Sequence, residues 1–291
     1  MRVHILWKPS SAHGPAEDRG SKLRAVLLAA LDTRFYRPLL ESAELGTLES
    51  IAGLEPAEAA LARLPRVCPP GPGIGSSALL NDNEPRGPLR ELYWPLPPPA
   101  RTAVLMEGFR EHRTVKVFGD EKRSGLIRFN PESLAGPVPE LRRLAELVES
   151  RSIRISRPVH SVIAFSLLPQ AFLSEEARDL FWRVFKVPVF GQILSPSCEV
   201  LAWECEAHQG YHVAGDSAIF ETDYAGPEPE LLVTSLVDRR RPVLRMATGM
   251  SGRVKHTTCD CGQAGPRLVE VRRKQLGKVR AAAVSASCAA D

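Results

Sequence analysis

The sequence lacks any run of about 18 consecutive apolar residues, which is the length that a membrane-spanning helix needs. Its first residues, MRVHILWKPSSAHG, also lack the apolar core of a secretory signal peptide. Both absences predict a cytoplasmic protein with no membrane partner. In that reducing compartment, cysteines are expected to be free thiols or metal ligands rather than disulfides.

The sequence also has little excess charge of one sign. Lys and Arg number 38 and Asp and Glu number 34, which leaves a net charge of +4. The basic residues are spread out or occur in short runs such as 239–241 and 272–274, whereas nucleic-acid-binding proteins usually carry a focused basic patch. No nucleic-acid partner is therefore expected, and a zinc-dependent nucleic-acid binder is a distant alternative at a pI near 8.8.

The order of periodic segments predicts an α/β protein. Residues 20–45 and 139–151 have apolar side chains at helical spacing, and 174–185 begins with Ser174 as an N-cap before two acids. Later strand-length runs, separated by Gly, Pro and Asp turns, are VPVFGQIL, CEVLAWEC, SAIFETDY, ELLVTSLV and PVLRMAT. We therefore expect a helix-flanked sheet that passes into a small, mostly antiparallel β segment.

Composition divides the chain into four predicted regions. Pro, Gly and Asn are concentrated between residues 68 and 100, which is typical of a loop. The residues beyond 270 have no clear amphipathic pattern. The predicted regions are an N-terminal helical segment (1–66), a Pro/Gly-rich linker or loop (67–113), an α/β domain (114–270) and a loosely ordered tail (271–291).

One set of thiols and imidazoles is spaced like the ligands of a metal ion. Cys259 and Cys261 form a C-x-C pair followed by a glycine, and Cys205 and His212 lie about 50 residues earlier, at the end of one predicted strand and the start of the next. Zinc prefers four such ligands in a tetrahedron, and a closed set of four leaves no position for water. We expect a structural Zn²⁺ site formed by these four residues, with His208 as the alternative nitrogen ligand.

The same stretch resembles a known family. ECEAHQGYHV, the later TSL, RPVLRMATG and CDCGQAGPRL follow one another as in the phenylacetate–coenzyme A ligase family of adenylate-forming enzymes. Residues 23–45, with their F-Y-R element, and the helices around 142–151 and 178–185 are similar to the N-terminal part of that family. The resemblance implies part of the N-terminal domain of an adenylate-forming enzyme, and it also supports the zinc site.

The resemblance implies a reaction as well as a fold. In this family a carboxylate attacks the α-phosphate of ATP to form an acyl-adenylate, and the thiol of coenzyme A (CoA) then displaces AMP. An aryl carboxylate, ATP, CoA and Mg²⁺ are thus the implied ligands. By position in the motifs, Glu199 is implied as the carboxylate for Mg²⁺ and ATP, and Arg245, Thr248 and Gly249 as nucleotide-binding residues.

The sequence departs from the family pattern at three places. Met250 stands where an acid would bind the ribose hydroxyls, and methionine cannot accept those hydrogen bonds in the same way. The Ser/Thr/Gly-rich phosphate loop is not found, and neither is the hinge and lid that would follow Arg267. We therefore expect a ligase-like protein with activity reduced or lost, or dependent on a partner chain that supplies the lid. The alternative is a non-catalytic, zinc-stabilised α/β binding protein.

Overall fold

A computed structural model describes residues 18–68, 89–119, 123–156, 158–168 and 172–274. Within these residues the chain forms one mixed sheet of 11 strands and seven helices. The helices are α1 (Arg19–Leu31), α2 (Tyr36–Ser42), α3 (Leu48–Ala52), α4 (Ala59–Arg63), α5 (Arg123–Phe129), α6 (Val138–Glu149) and α7 (Glu175–Phe185). The strands are β1 (Thr102–Val104), β2 (Val115–Val117), β3 (Ser133–Pro137), β4 (Ser161–Leu167), β5 (Val189–Leu194), β6 (Val200–Glu204), β7 (Tyr211–Val213), β8 (Ala218–Asp223), β9 (Glu230–Ser235), β10 (Met246–Lys255) and β11 (Arg267–Arg273).

One half of the sheet is parallel, in the order β2-β1-β3-β4-β5. Helices α6 and α7 pack on one face of this half through a shared apolar core. Helix α7 begins where predicted, because the Ser174 side chain accepts a hydrogen bond from the Ala177 amide. It ends at Phe185, and the next residue, Lys186, is in the left-handed conformation. Helix α6 ends at Glu149, close to the predicted limit.

The other face of the parallel half is covered by residues from the predicted linker. Leu92, Trp94 and Phe109 are buried in a core with strands β1, β3 and β4, and the ring of Phe109 stacks on Phe165 at 5.2 Å. Strand β1 also lies inside this stretch of the sequence. Sequence composition hid this role, because a few buried aromatic and aliphatic side chains stand among many prolines.

The other half of the sheet is antiparallel and runs from β5 through β6, β7, β11, β10 and β9 to β8. Side chains from all of these strands share one apolar core. The antiparallel part was predicted to be small, and that expectation was wrong: it is continuous with the parallel half and includes more strands. The prediction missed β7, which has three residues, and β11, which is largely polar.

The N-terminal helices pack as one cluster against the antiparallel half, where the Tyr36 hydroxyl accepts a hydrogen bond from the Leu244 amide. The predicted helix over residues 20–45 is divided into α1 and α2. Thr33 causes the break, since its hydroxyl donates to the Ala30 carbonyl and accepts from the Tyr36 amide. No helix among the described residues is long and apolar enough to cross a membrane.

Candidate functional site

The four predicted metal ligands come together in the structure. One ligand atom each from Cys205, His212, Cys259 and Cys261 lies within 4.8 Å of the others, and all but Cys261 are buried. The Sγ atoms of Cys205 and Cys259 are 3.7 Å apart. The Nε2 atom of His212 lies 3.3 Å from the sulfur of Cys205 and 3.4 Å from that of Cys261.

These distances match the edges of a zinc tetrahedron. Bonds of about 2.3 Å to sulfur and 2.0–2.1 Å to nitrogen place two sulfurs about 3.8 Å apart and a sulfur and a nitrogen about 3.6 Å apart. A disulfide would need sulfurs about 2.05 Å apart, so the 3.7 Å separation of Cys205 and Cys259 does not describe one. The donor set therefore fits Zn²⁺, held by three thiolates and one imidazole.

Strand pairing explains how distant residues meet at this centre. Cys205 follows β6 and His212 lies in β7, which pairs with β6 on one side and with β11 on the other. The C-x-C pair lies just before β11, so the same pairing brings it to the end of β6. Gly210 makes the approach of the two segments feasible, because it has φ +100° and a Cβ there would lie 2.1 Å from the Leu268 carbonyl oxygen.

His208, the alternative ligand, lies outside the cluster of four. Its imidazole ring stacks on Phe190 at 5.0 Å, and its backbone is left-handed with φ 48°. Of the other cysteines, Cys198 is a free thiol as expected, whereas Cys68 is disulfide-bonded, contrary to the expectation for a reducing compartment.

Burial controls the chemistry of the ligand atoms. It raises the pKa of the Cys205 thiol to about 12 and lowers the pKa of His212, an effect that the nearby charge of Arg267 strengthens. His212 is therefore held in the neutral form that binds metals, while the Cys205 thiol needs a metal ion or another positive charge to lose its proton near neutral pH.

Arg267 joins the two segments that carry the ligands. It lies opposite His212 in the pairing of β7 and β11 and is only 6% exposed. Its guanidinium donates to the Gln209 carbonyl and side-chain oxygens on one segment and to Thr257 and the Thr258 carbonyl on the other. Three thiolates around a Zn²⁺ ion would leave one net negative charge, which the buried guanidinium of Arg267 would offset. Sequence reasoning placed Arg267 only within the family motif and did not predict this role.

Aromatic rings cover the metal cluster on one side. Trp203 stacks on His212 at 5.8 Å, and Tyr93 packs on Trp203 at 4.8 Å. Burial, together with the neighbouring thiol of Cys205, raises the pKa of Tyr93 well above its usual range. Tyr93 thereby packs on the ring that stacks on His212.

Glu199 lies on the loop that follows β5. Its carboxylate pairs with Arg90 at 3.0 Å, and its amide donates to the Ser195 hydroxyl. The same loop reaches the turn between β9 and β10, where Ser197 donates a hydrogen bond to Asp238. Burial raises the pKa of Asp238, and the hydrogen bond from Ser197 opposes that shift only in part.

The other residues that were predicted to bind the nucleotide lie in or beside β10. The Arg245 guanidinium pairs with Glu221 and donates to the Leu64 carbonyl. The Thr248 hydroxyl donates to the Leu231 carbonyl within the sheet, and Gly249 has φ 71°. Met250 is 2% exposed and belongs to the core of the antiparallel half.

Comparison with known proteins gives a likeness in fold. No family model and no curated protein matches the sequence. Among solved structures, a 2-hydroxyisobutyryl-CoA ligase in an open conformation with 2-HIB-AMP and CoA aligns with a TM-score of 0.60 at 15% identity, over 92% of this chain and 75% of the ligase chain. The same ligase in its thioesterification state aligns with a TM-score of 0.57 at 15% identity, over 92% of this chain and 73% of its own.

The expected helix-flanked mixed sheet is therefore confirmed, and its fold is similar to that of this CoA ligase. The likeness spans 92% of this chain. The closer resemblance to phenylacetate–CoA ligases stays a prediction from the sequence motifs.

Proposed function

We propose that this protein is an adenylate-forming ligase-like protein whose catalytic activity is reduced or lost and whose Cys/His centre is a structural zinc site. The observation that carries the proposal is the likeness to a CoA ligase solved with an acyl-adenylate and CoA, which extends over 92% of this chain. The ligands that fit this fold are ATP, a carboxylic acid and CoA.

The reaction class follows from those ligands. A carboxylate oxygen would attack the α-phosphate of ATP and release pyrophosphate, and the CoA sulfur would then attack the acyl carbon and release AMP. Both steps develop negative charge that positive groups or amides must stabilise, and losing one such donor typically lowers a rate by about 10²–10³. A site that lacks several of them would react slowly.

Three environments favour reduced activity. The side chain of Met250 lies in an apolar core rather than on a polar surface. The guanidinium of Arg245 is engaged by Glu221 and a carbonyl of the N-terminal helices. The Thr248 hydroxyl is used within the sheet. Each of these groups serves the fold, so its use by a nucleotide would require that internal contacts break.

The proposed zinc would act on stability rather than on chemistry. Cys205, His212, Cys259 and Cys261 would hold it and complete its tetrahedron, so no position is left for water or substrate. It would join β6 and β7 to the segment before β11. A catalytic role is not proposed for this ion.

Two measurements on zinc-loaded protein test the proposal. Release of AMP and pyrophosphate is followed with ATP, Mg²⁺, CoA and a panel of aryl and short hydroxylated acids, and ATP binding is measured by calorimetry with and without Mg²⁺. ATP binding with slow or undetected turnover is the expected result. Turnover at rates of about 1 s⁻¹ or more, ordinary for enzymes, would contradict reduced activity.

The second candidate is a non-catalytic, zinc-stabilised α/β binding protein, favoured by the burial of Met250. The two candidates differ in the expected result for ATP binding, because the second predicts that folded, zinc-loaded protein binds no ATP. ATP binding that competes with AMP would exclude it. An additional chain that supplies a lid is tested in the same assay by adding cell extract depleted of small molecules and looking for restored AMP release.

A further inference from the structure

A second polar cluster lies at the carboxyl end of β5, away from the cysteines. It contains the carboxylates of Glu199 and Asp238, the hydroxyls of Ser195 and Ser197, and the guanidinium of Arg90. Ligands of open α/β sheets bind beyond the carboxyl ends of the strands. The cluster therefore occupies a position in the fold where a ligand is expected.

The buried carboxylate of Asp238 is the unusual member of this cluster. Asp238 is 2% exposed, and its Oδ1 accepts a hydrogen bond from Ser197. Its Oδ2 atom is buried and has no hydrogen-bond partner within the described residues. A buried carboxylate with an unused oxygen is costly unless a positive charge lies close to it.

Arg90 supplies that positive charge. One guanidinium nitrogen lies 3.0 Å from Glu199, and the charge of Arg90 also opposes the effect of burial on the pKa of Asp238. The backbone holds Arg90 in place, because its amide donates to the Gly108 carbonyl at 2.8 Å and its carbonyl accepts from the Arg110 amide at 2.8 Å. The guanidinium stays charged at any accessible pH.

The oxygen groups are of the kind that bind Mg²⁺ or Mn²⁺. These ions take carboxylate, hydroxyl and water oxygens. The Arg90 and Glu199 side chains are about a quarter exposed, so the cluster lies at the edge of the buried region. The cluster thus combines two carboxylates suited to a divalent cation with a fixed organic cation already in contact with one of them.

We propose that Arg90 takes the place of a divalent cation at this cluster, so that the protein binds no Mg²⁺ there. A consequence for ATP binding rests on the proposed function. ATP would bind without a metal ion, and its affinity for the protein would not depend on Mg²⁺. Arg90 would then be a specificity-determining residue, because its guanidinium excludes a divalent cation from the cluster.

The test measures metal binding without any nucleotide. Zinc-loaded protein is titrated with Mn²⁺, and bound Mn²⁺ is followed by the loss of the free-ion electron paramagnetic resonance signal. The wild type is expected to show no site. Arg90→Gln is expected to gain one Mn²⁺ per chain with a Kd at least about tenfold lower than any wild-type binding, and adding Glu199→Gln or Asp238→Asn should abolish that gain.

Arg110→Gln is the matched control. Arg110 lies on the strand-like segment beside Arg90 but pairs with Glu91 at 3.3 Å, and both of those side chains are more than half exposed. It removes the same charge from the same region, so its Mn²⁺ binding should equal that of the wild type. A gain in Arg110→Gln equal to that in Arg90→Gln would show a general charge effect and overturn the proposal.

Other outcomes also decide the matter. An Arg90→Gln protein that is folded by circular dichroism and binds Mn²⁺ no better than the wild type overturns the proposal. If that variant does not fold, Mn²⁺ binding by the wild type is the test. Binding of one Mn²⁺ per chain that Glu199→Gln abolishes would overturn the proposal. Arg90→Lys, which keeps a positive charge, should bind no Mn²⁺. Because no nucleotide is present, a gain of Mn²⁺ alongside absent ATP binding would support this inference and reject the proposed function.

Discussion

Removal of the metal ion gives the sharpest test of the Cys/His centre. The perturbation is Cys205→Ala, which deletes a buried ligand whose sulfur lies 3.7 Å from that of Cys259 and 3.3 Å from Nε2 of His212. Three ligands remain, and the vacated position opens the tetrahedron. We expect the variant to bind zinc far more weakly, because a closed four-ligand site is lost.

The size of the effect on stability follows from binding linkage. An ion that binds only the folded state at 100 times its Kd adds about 2.7 kcal/mol to the free energy of unfolding. For a domain of this size each kcal/mol raises Tm by about 2–4 °C, so zinc should raise the Tm of the wild type by roughly 5–11 °C. Cys205→Ala should lose this zinc-dependent increase.

The assay is thermal unfolding followed by circular dichroism, with buffered free zinc and with chelator, together with metal content by mass spectrometry. Cys198→Ala is the matched control, since Cys198 is a partly buried free thiol outside the cluster. It should keep the full zinc-dependent shift. The reasoning would be refuted if the wild type contains no zinc and chelator does not change its Tm. It would also be refuted if zinc raises the Tm of Cys205→Ala as much as that of the wild type.

Three further predictions concern single side chains. Arg267→Gln should weaken zinc binding by about 10–100-fold in a chelator competition assay, because losing a group that orients metal ligands usually has an effect of that size. The control is Arg272→Gln on the same strand, where the side chain is 67% exposed, and it should leave zinc binding unchanged. Because burial raises the pKa of Asp238, the wild type should become less stable as the pH rises from the unfolded-state pKa of Asp238 to its folded-state pKa. Asp238→Asn should remove that pH dependence, so the Tm of the variant minus that of the wild type should be largest at pH 8 and should shrink toward pH 4. The same pH dependence of Tm in both proteins would contradict the assignment. Gly191→Ala should lower the free energy of unfolding in urea by about 1–3 kcal/mol, since its Cβ would lie 2.5 Å from the Tyr211 hydroxyl oxygen, and Tyr211→Leu in the same chain should recover part of the loss.

The local elements were predicted best where their signals lie within a few residues. The start of α7 was predicted from Ser174 and the acids after it, and capping is a local interaction. The strands β5, β6, β8 and β9 were predicted from short apolar runs bounded by turns. In contrast, β7 and β11 were missed, because β7 has only three residues and β11 is largely polar.

The metal ligands were also predicted from the sequence, since thiol and imidazole groups are recognisable by type. Their partners were not. The sequence does not show the contacts of Arg267 and Arg90. Pairing across the sheet places Arg267 opposite His212, and the tertiary structure brings the Arg90 guanidinium to Glu199.

The sequence by itself determined the class of fold and the four thiol and imidazole groups that could hold a metal ion, because each depends on residue type and local order. Tertiary structure alone decided which histidine joins the cysteines, how far the antiparallel sheet extends and which arginine faces which acid. These depend on contacts between residues about 50 or more apart in the chain, such as Cys205 with Cys259 and Arg90 with Glu199. Spacing along a sequence does not encode such distances; the pairing of strands does.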